Sequence, residues 1–268
     1  MPQAQIFDAT VSLVPKTFTL ENLKFVFKIM KFPESFLNSV ILSTIVMSLQ
    51  MISSLLIGYG FGRFAFPFKK LLFAIGIFTL LVPPQILIYP LYLDYSNFDI
   101  FGIIKLITGD DVNLLNTYLP FVFSSALGVG SQGMIFIFMF RQYFKGVPKE
   151  LEEAARVDGS NEFYTFVRIM IPAATPVIVC VAVLAFVWQW NDYFYTSNYL
   201  SGVELLSVNL YSLSDNVTAS LGQGSVNNAY ISILNSCGTL MVLAPLIVAY
   251  LFVQKGFIQS VERSGIVG

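Results

Sequence analysis

Apolar residues gather along the chain into five blocks that carry no charged side chain: Leu37–Gly62, Leu71–Leu93, Val112–Phe140, Ile169–Asn191 and roughly Tyr230–Gln254. A helix needs about 20 apolar residues to cross a hydrocarbon core of about 30 Å. The pattern therefore predicts an all-α, polytopic membrane helical bundle with five transmembrane helices. Residues 1–36 are mixed polar, with no apolar core following a basic start, so they do not read as a cleavable signal peptide. Within them Thr19 is placed to cap a helix whose Leu20, Leu23, Phe27 and Met30 fall on one stripe. The expected element is an amphipathic helix at the outer membrane surface. A disordered tail is the alternative.

The longest polar run of the second half, EAARVDGSNEFYTFVRIMIP (153–172), separates the third and fourth blocks. Pro148 suits the first turn of a helix, and Glu150, Glu152 and Glu153 favour its positive N-terminal end. Leu151, Ala154 and Ala155 line one side. Gly159 stands where a helix end needs a residue able to reach positive φ. Ser160 is placed to cap a second helix, with Phe163, Phe166, Val167 and Met170 at i, i+3, i+4, i+7 and Pro172 at its end. The prediction is a helix–turn–helix whose small-residue face suits docking into another protein's groove. A plain amphipathic surface loop is the other reading of the same residues.

Loop charges orient the spans. Arg63, Lys69 and Lys70 follow the first block, Arg141, Lys145, Lys149, Arg156 and Arg168 the third, and Lys255 and Arg263 the fifth. Asp94, Asp99, Asp110 and Asp111 against one Lys105 follow the second, while the fourth is followed by Glu204 and Asp215 without a basic residue. The positive-inside rule then places 63–70, 141–168 and the C-terminus in the cytoplasm, and residues 1–36 outside. External lysines at 16, 24, 28 and 31 sit awkwardly with that rule. A further helix upstream of Met1 would resolve the conflict.

Composition narrows the chemistry. Of 268 residues 56% are apolar and 12% charged, against about 25% charged in soluble domains. With no histidine, histidine metal sites, Ser-His-Asp triads and histidine proton relays are excluded. Cys180 and Cys237 lie in apolar stretches and read as buried thiols rather than a disulfide. No basic stripe with interleaved aromatics points to nucleic acid. No GxxxxGK[ST] phosphate loop, HExxH or intramembrane carboxylate pair is present. No block carries a charge near its centre, as ion coupling in a secondary transporter typically would.

Glu153-Ala154-Ala155, then Gly159, then Ile169 and Ile171-Pro172 resemble the EAA loop of ABC importer membrane subunits, with Ile171 where that family usually has Leu. Other features follow in the family's order. Asn38-Ser39 opens the first block, YGFGRFAF (59–66) resembles its exit, YPLYL (89–93) closes the second, and FRQYFKGVPKELEEAARVDG (140–159) precedes the bend. WQWND (188–192) resembles the Trp-Asn-Asp at the outer end of the fourth. The resemblance covers about residues 18–268 and is to the carbohydrate-uptake subfamily, on the side of the smaller, maltose-permease G-like subunit. It implies six helices, the first upstream of Met1. The tail RSGIVG is a loose version of the family's Gly-Ala-Val-Lys-Gly ending.

What the resemblance implies is a permease subunit of a bacterial ATP-driven importer for di- or oligosaccharides, in the cell membrane. Residues 37–268 would form the transmembrane domain, with a coupling loop over about 141–171 in which Glu153, Ala154, Ala155, Asp158 and Gly159 contact the ATPase. The implied partners are membrane lipid, a second homologous permease in a heterodimer, two ATPase subunits that hold the ATP and Mg, and an extracytoplasmic sugar-binding protein. No cofactor or metal belongs to this chain. An ion-coupled secondary transporter is the alternative. Along the substrate path the expected residues are Gln85, Gln132, Trp190, Asn191 and Tyr193, since polar groups in spans face the interior or an aqueous route. Helix–helix hydrogen bonding, for these amides and for Asn235, and an interfacial belt for Trp190 and Tyr193 fit the same positions. Gly128, Gly130 and Gly133 read as sites of close helix packing.

Overall fold

The computed structural model describes residues 19–100, 102–130, 132–222 and 227–265. Residues 1–18 of the predicted external segment and the last three of the tail lie outside these. All regular structure among the described residues is helical. The single pairing of β type is an isolated antiparallel bridge between Phe98 and Val112.

Short α1 (Glu21–Ile29) leads into α2 (Phe32–Arg63). Next come α3 (Lys69–Thr79), α4 (Pro84–Ser96), α5 (Ile103–Thr108), α6 (Leu119–Ala126), α7 (Gly133–Gly146) and α8 (Glu150–Val157). Then α9 (Glu162–Thr165), a π-turn (Phe166–Met170) and α10 (Ile171–Ala173) run into α11 (Thr175–Trp190). The chain closes with α12 (Phe194–Tyr199), α13 (Leu206–Tyr211), α14 (Leu213–Leu221) and α15 (Asn228–Gly265). These helices form two compact units, one from residues 19–42 and 190–252, the other from 43–189 and 253–265.

Among the described residues, two helices are long and apolar enough to cross a membrane unbroken: Phe32–Arg63, and Asn228–Leu251 within α15. Two predicted spans are bent pairs, Lys69–Thr79 with Pro84–Ser96 at 99°, and Glu162–Ala173 with Thr175–Trp190 at 72°. The count by length and composition is therefore two, or up to four. Prolines explain both bends. Pro83 and Pro84 cannot continue the backbone ladder of α3, and Pro172 and Pro176 flank the second break. At each break a threonine hydroxyl donates to a carbonyl three residues back, Thr79 to Gly76 and Thr175 to Pro172.

The third predicted span, Val112–Phe140, is not one helix. Val112 pairs with Phe98, and α6 and α7 are separated by a turn in which Gly128 (φ 73°) and Gln132 (φ 63°) are left-handed. The three glycines serve that turn, and Gly128 also permits close packing on α2, where a Cβ would meet Ile57 Cδ1 at 2.6 Å. A Cβ on Gly133 would stand 2.5 Å from the Gly128 carbonyl oxygen, and one on Gly130 3.3 Å from Ser125 Oγ. Close packing between long helices belongs to Gly58 and Gly62 of α2, where a Cβ would meet Cβ of Phe140 at 2.4 Å and of Phe144 at 2.9 Å.

α2 buries a stripe of small polar residues, Ser35, Ser39, Ser43, Gln50, Ser53 and Ser54. Small side chains let neighbouring backbones come close, and the hydroxyls satisfy polar groups there. Ser53 Oγ donates to the Ser125 carbonyl at 2.7 Å, and Ser39 Oγ accepts the Leu206 amide at 2.9 Å.

In α1 the sequence stripe is displaced. The buried residues are Asn22 and Val26, with Met30 just beyond, while Leu20 and Phe27 are exposed. Thr19 sits one residue before the N-cap and accepts the Glu21 amide. The Asn22, Val26 and Met30 face is the buried one, with Tyr230 Oη donating to Asn22 Oδ1 at 3.2 Å and the Asn209 amide of α13 donating to the Met30 carbonyl (2.9 Å) and to Ser35 Oγ (2.8 Å) just beyond the helix.

Candidate functional site

The 150–170 segment is a compact bend held by its own backbone. Glu150, Glu152 and Glu153 occupy the first turn of α8, where the helix dipole favours them. The helix starts after Lys149, so Pro148 lies just ahead of it. It ends in a Schellman arrangement: the Ser160 amide donates to the Ala155 carbonyl and the Gly159 amide to the Arg156 carbonyl, with Gly159 at φ 81°. No atom would obstruct a Cβ at Gly159, so the restriction there is one of backbone torsion. The second helix is capped by Asn161, whose Oδ1 accepts the Tyr164 amide at 2.7 Å, and not by Ser160. Arg156 and Glu162 pair across the bend at 3.1 Å, both well exposed.

The predicted coupling residues Glu153, Ala154, Asp158 and Gly159 face solvent, whereas Ala155 is buried. Around them stands apolar surface: Leu151, Val157 (87% exposed), Phe163 (75%) and Val167. The expected face of Phe163, Phe166, Val167 and Met170 is split. Phe166 and Met170 are buried and the other two exposed. A π-turn covers Phe166–Met170, and its i→i+5 bonding departs from the 3.6-residue period on which that single face was read.

The bend is tied to the end of α2. Arg63, with its side chain 6% exposed, puts Nε 3.1 Å from Glu152 Oε1 and donates from Nη2 to the Val147 carbonyl at 2.7 Å. The Nε contact is an ion pair off the line of a hydrogen bond. Tyr59 Oη donates to Glu152 Oε1 at 3.4 Å, and its ring packs on Phe166 (centroids 4.5 Å) and edge-on to Phe144 (5.1 Å). Tyr59, Arg63 and Glu152 line a cleft of about 210 Å³ together with Arg156, Glu162 and Thr165. In the sequence, 59–66 stands out as a motif and Arg63 as a loop charge, with no local link to Glu152. The opposite charges of Arg63 and Glu152 were the one signal of their pairing.

The substrate-path residues fall in both units. In the second, Gln85 is exposed at the second residue of α4, and Gln132 is exposed on the turn before α7. In the first, Trp190 is 2% exposed, donates from Nε1 to the Val242 carbonyl at 3.2 Å and packs edge-on to Phe36. It is a core residue, not one presented to a passing solute. Asn191 is exposed beside it. Asp192 caps α12, accepting the Thr196 amide at 2.8 Å and the Tyr195 amide at 3.4 Å. Burial pushes its carboxyl up, against the lowering effect of those bonds. Asn235 makes a helix–helix bond, its amide donating to Ser214 Oγ at 2.9 Å.

Tyr193 lies parallel to Tyr211, with centroids 3.8 Å apart and planes at 21°. No periodicity in the sequence connects Tyr211 to Tyr193. Asn38 and Ser39 gain a reason as well. They bind the Glu204 carbonyl (3.0 Å) and the Leu206 amide, and so pin the start of α13 to α2.

Long apolar helices and broken spans define, among the described residues, an all-helical membrane protein. The chain belongs to the family of binding-protein-dependent transport system inner membrane components, whose model matches residues 54–262. It is 28% identical to the arabinooligosaccharides transport system permease protein AraQ of Halalkalibacterium halodurans, over all of this chain and 87% of that one. It is 28% identical to the lactose transport system permease protein LacG of Rhizobium radiobacter, over 92% of this chain and 81% of that one. In fold it resembles a solved bacterial ABC transporter that imports the acidic polysaccharide alginate. That match has a TM-score of 0.64 at 20% identity and covers 94% of this chain and 84% of that one. The protein is thus an ABC importer's permease, a transport component and not an enzyme, and ATP hydrolysis lies in separate subunits.

Proposed function

We propose that this chain forms half of the translocation path of a bacterial importer for di- or oligosaccharides. The observation that carries the substrate class is similarity along nearly the whole chain to permeases named for arabinooligosaccharides and lactose. The family match sets aside the ion-coupled secondary transporter. A second, homologous permease completes the path, two ATPase subunits hold ATP and Mg, and an extracytoplasmic sugar-binding protein delivers the cargo. The spans number five, the broken ones included, over residues 37–268. The loop charges favour a cytoplasmic C-terminus and an external 1–36 segment.

The coupling contact is the α8–α9 bend, through Glu153, Ala154, Ala155, Asp158 and Gly159. What supports this is a rigid, capped bend that leaves Leu151, Val157 and Phe163 uncovered. Isolated exposed apolar residues are ordinary, but a clustered set rimmed by charge is a mark of protein contact. In that arrangement Ala155 acts from beneath, as part of the bend's own packing. On the external side Asn191 and Tyr193 contact the sugar, with Gln85 and Gln132 lining the path and Trp190 holding the end of α11 in place. The test is reconstitution of the whole transporter in liposomes with its binding protein. ATP-dependent uptake of lactose or arabinotriose is expected, and uptake that persists without ATP overturns the reading.

A further inference from the structure

The structure assigns a sugar-stacking platform to the Tyr193–Tyr211 pair, a role that rests on the sugar-permease reading above. Tyr211 ends α13, and the residue is 68% exposed although one face of its ring lies against Tyr193, with centroids 3.8 Å apart. The stack therefore covers one face of Tyr211 and leaves the other open. Burial does not explain the ring's position, because α13 already turns Leu206 and Asn209 inward. Tyr193 is held from behind. It immediately follows Asp192, whose carboxylate caps α12 and whose carbonyl accepts the Ser207 hydroxyl at 2.7 Å and the Thr196 hydroxyl. Two planes so fixed lose little conformational freedom when a third is laid on them.

The third plane that fits is the C–H face of a pyranose or furanose ring. Such a face is flat, apolar and weakly positive at its hydrogens, and it meets the negative face of an aromatic ring. The hydroxyls at its rim need polar partners. Asn191 is exposed two residues before Tyr193, and Asn216, also exposed, donates to Ser212 Oγ one residue after Tyr211. An apolar partner surface or a lipid tail would take the polar groups around the pair out of water without offering them a partner.

The experiment uses the complete transporter in nanodiscs, with lactose and arabinotriose as probes. Saturation transfer from aromatic protons to sugar ring protons is read by NMR, and uptake at saturating binding protein is measured in liposomes. Tyr211→Ala is expected to weaken sugar binding about ten-fold and to lower the uptake rate, while Tyr211→Phe stays within two-fold of wild type because the ring remains. Tyr193→Ala is expected to resemble Tyr211→Ala by freeing the outer ring. If wild type transports sugar and Tyr211→Ala binds and transports it equally well, the platform is wrong and the permease reading stands. If wild type neither binds nor transports either sugar, the sugar reading fails and the platform with it. If Tyr211→Ala alters only the lipid dependence of melting, the ring is a membrane anchor and the platform is overturned.

Discussion

Arg63 at the end of α2 and Glu152 in α8 form an ion pair of 3.1 Å that is largely shielded from water. It joins the exit of the first long apolar helix to the first turn of the projecting bend. Removing either partner alone leaves the other charge buried without its mate. Arg63→Ala or Glu152→Ala is each expected to cost about 2–3 kcal/mol, toward the low end for buried pairs because Glu152 keeps some solvent contact. The double substitution should cost less than the sum. Denaturant unfolding of the purified chain in detergent completes the double-mutant cycle. Strict additivity would show that the pair carries no coupling.

Gly159→Leu should leave the helices folded and abolish ATPase association. The residue sits at φ 81°, where a side chain costs on the order of 1 kcal/mol. That is too little to unfold the chain but enough to re-aim α9 relative to α8. Bound ATPase after affinity purification, and hydrolysis stimulated by the binding protein, give the measure. Wild-type levels of both would make the bend a plain surface loop.

Gly58 and Gly60 are expected to respond to alanine in opposite directions. A Cβ at 58 meets Phe140 Cβ at 2.4 Å, so Gly58→Ala forces α2 and α7 apart and should destabilise by about 1–3 kcal/mol. At Gly60 nothing lies within 4 Å, and Gly60→Ala should be neutral or stabilise by up to about 1 kcal/mol through helix propensity. Thermal melting in detergent compares the two.

Glu204 predicts an acid-labile contact in the loop before α13. Lys31, 2.5 Å away, and the Asn209 amide hold its carboxyl below the usual carboxylate range. With the folded pKa depressed, the contribution is complete above the unfolded value near 4.5 and is lost as pH falls through the lower folded value. Because Lys31 is exposed, solvent screens the pair and its contribution at neutral pH should be small. Melting of wild type should fall toward that of Glu204→Gln as pH drops below 4.5. A difference that stays constant with pH would assign the effect to packing.

The sequence by itself determined the features that depend on neighbours along the chain. Uncharged apolar runs required membrane helices, Pro172 an end to the second helix of the bend, and Gly159 between two capped segments the bend itself, whereas the breaks at Pro83, Pro84 and Pro176 fall inside blocks that read as continuous spans. What depends on contacts between distant residues was decided only in the tertiary structure. In a chain apolar on every side, the face turned to lipid and the face turned to protein carry similar residues, so periodicity does not tell them apart. Nothing local separates Gly58, pressed on Phe140, from Gly60, pressed on nothing. The turn at 128–132 was hidden for a related reason: apolar residues flank it on both sides and the uncharged run continues through it. Tyr193 was legible as an aromatic beside a polar end, but its partner Tyr211 became visible only once α12 and α13 folded back to bring the two rings together.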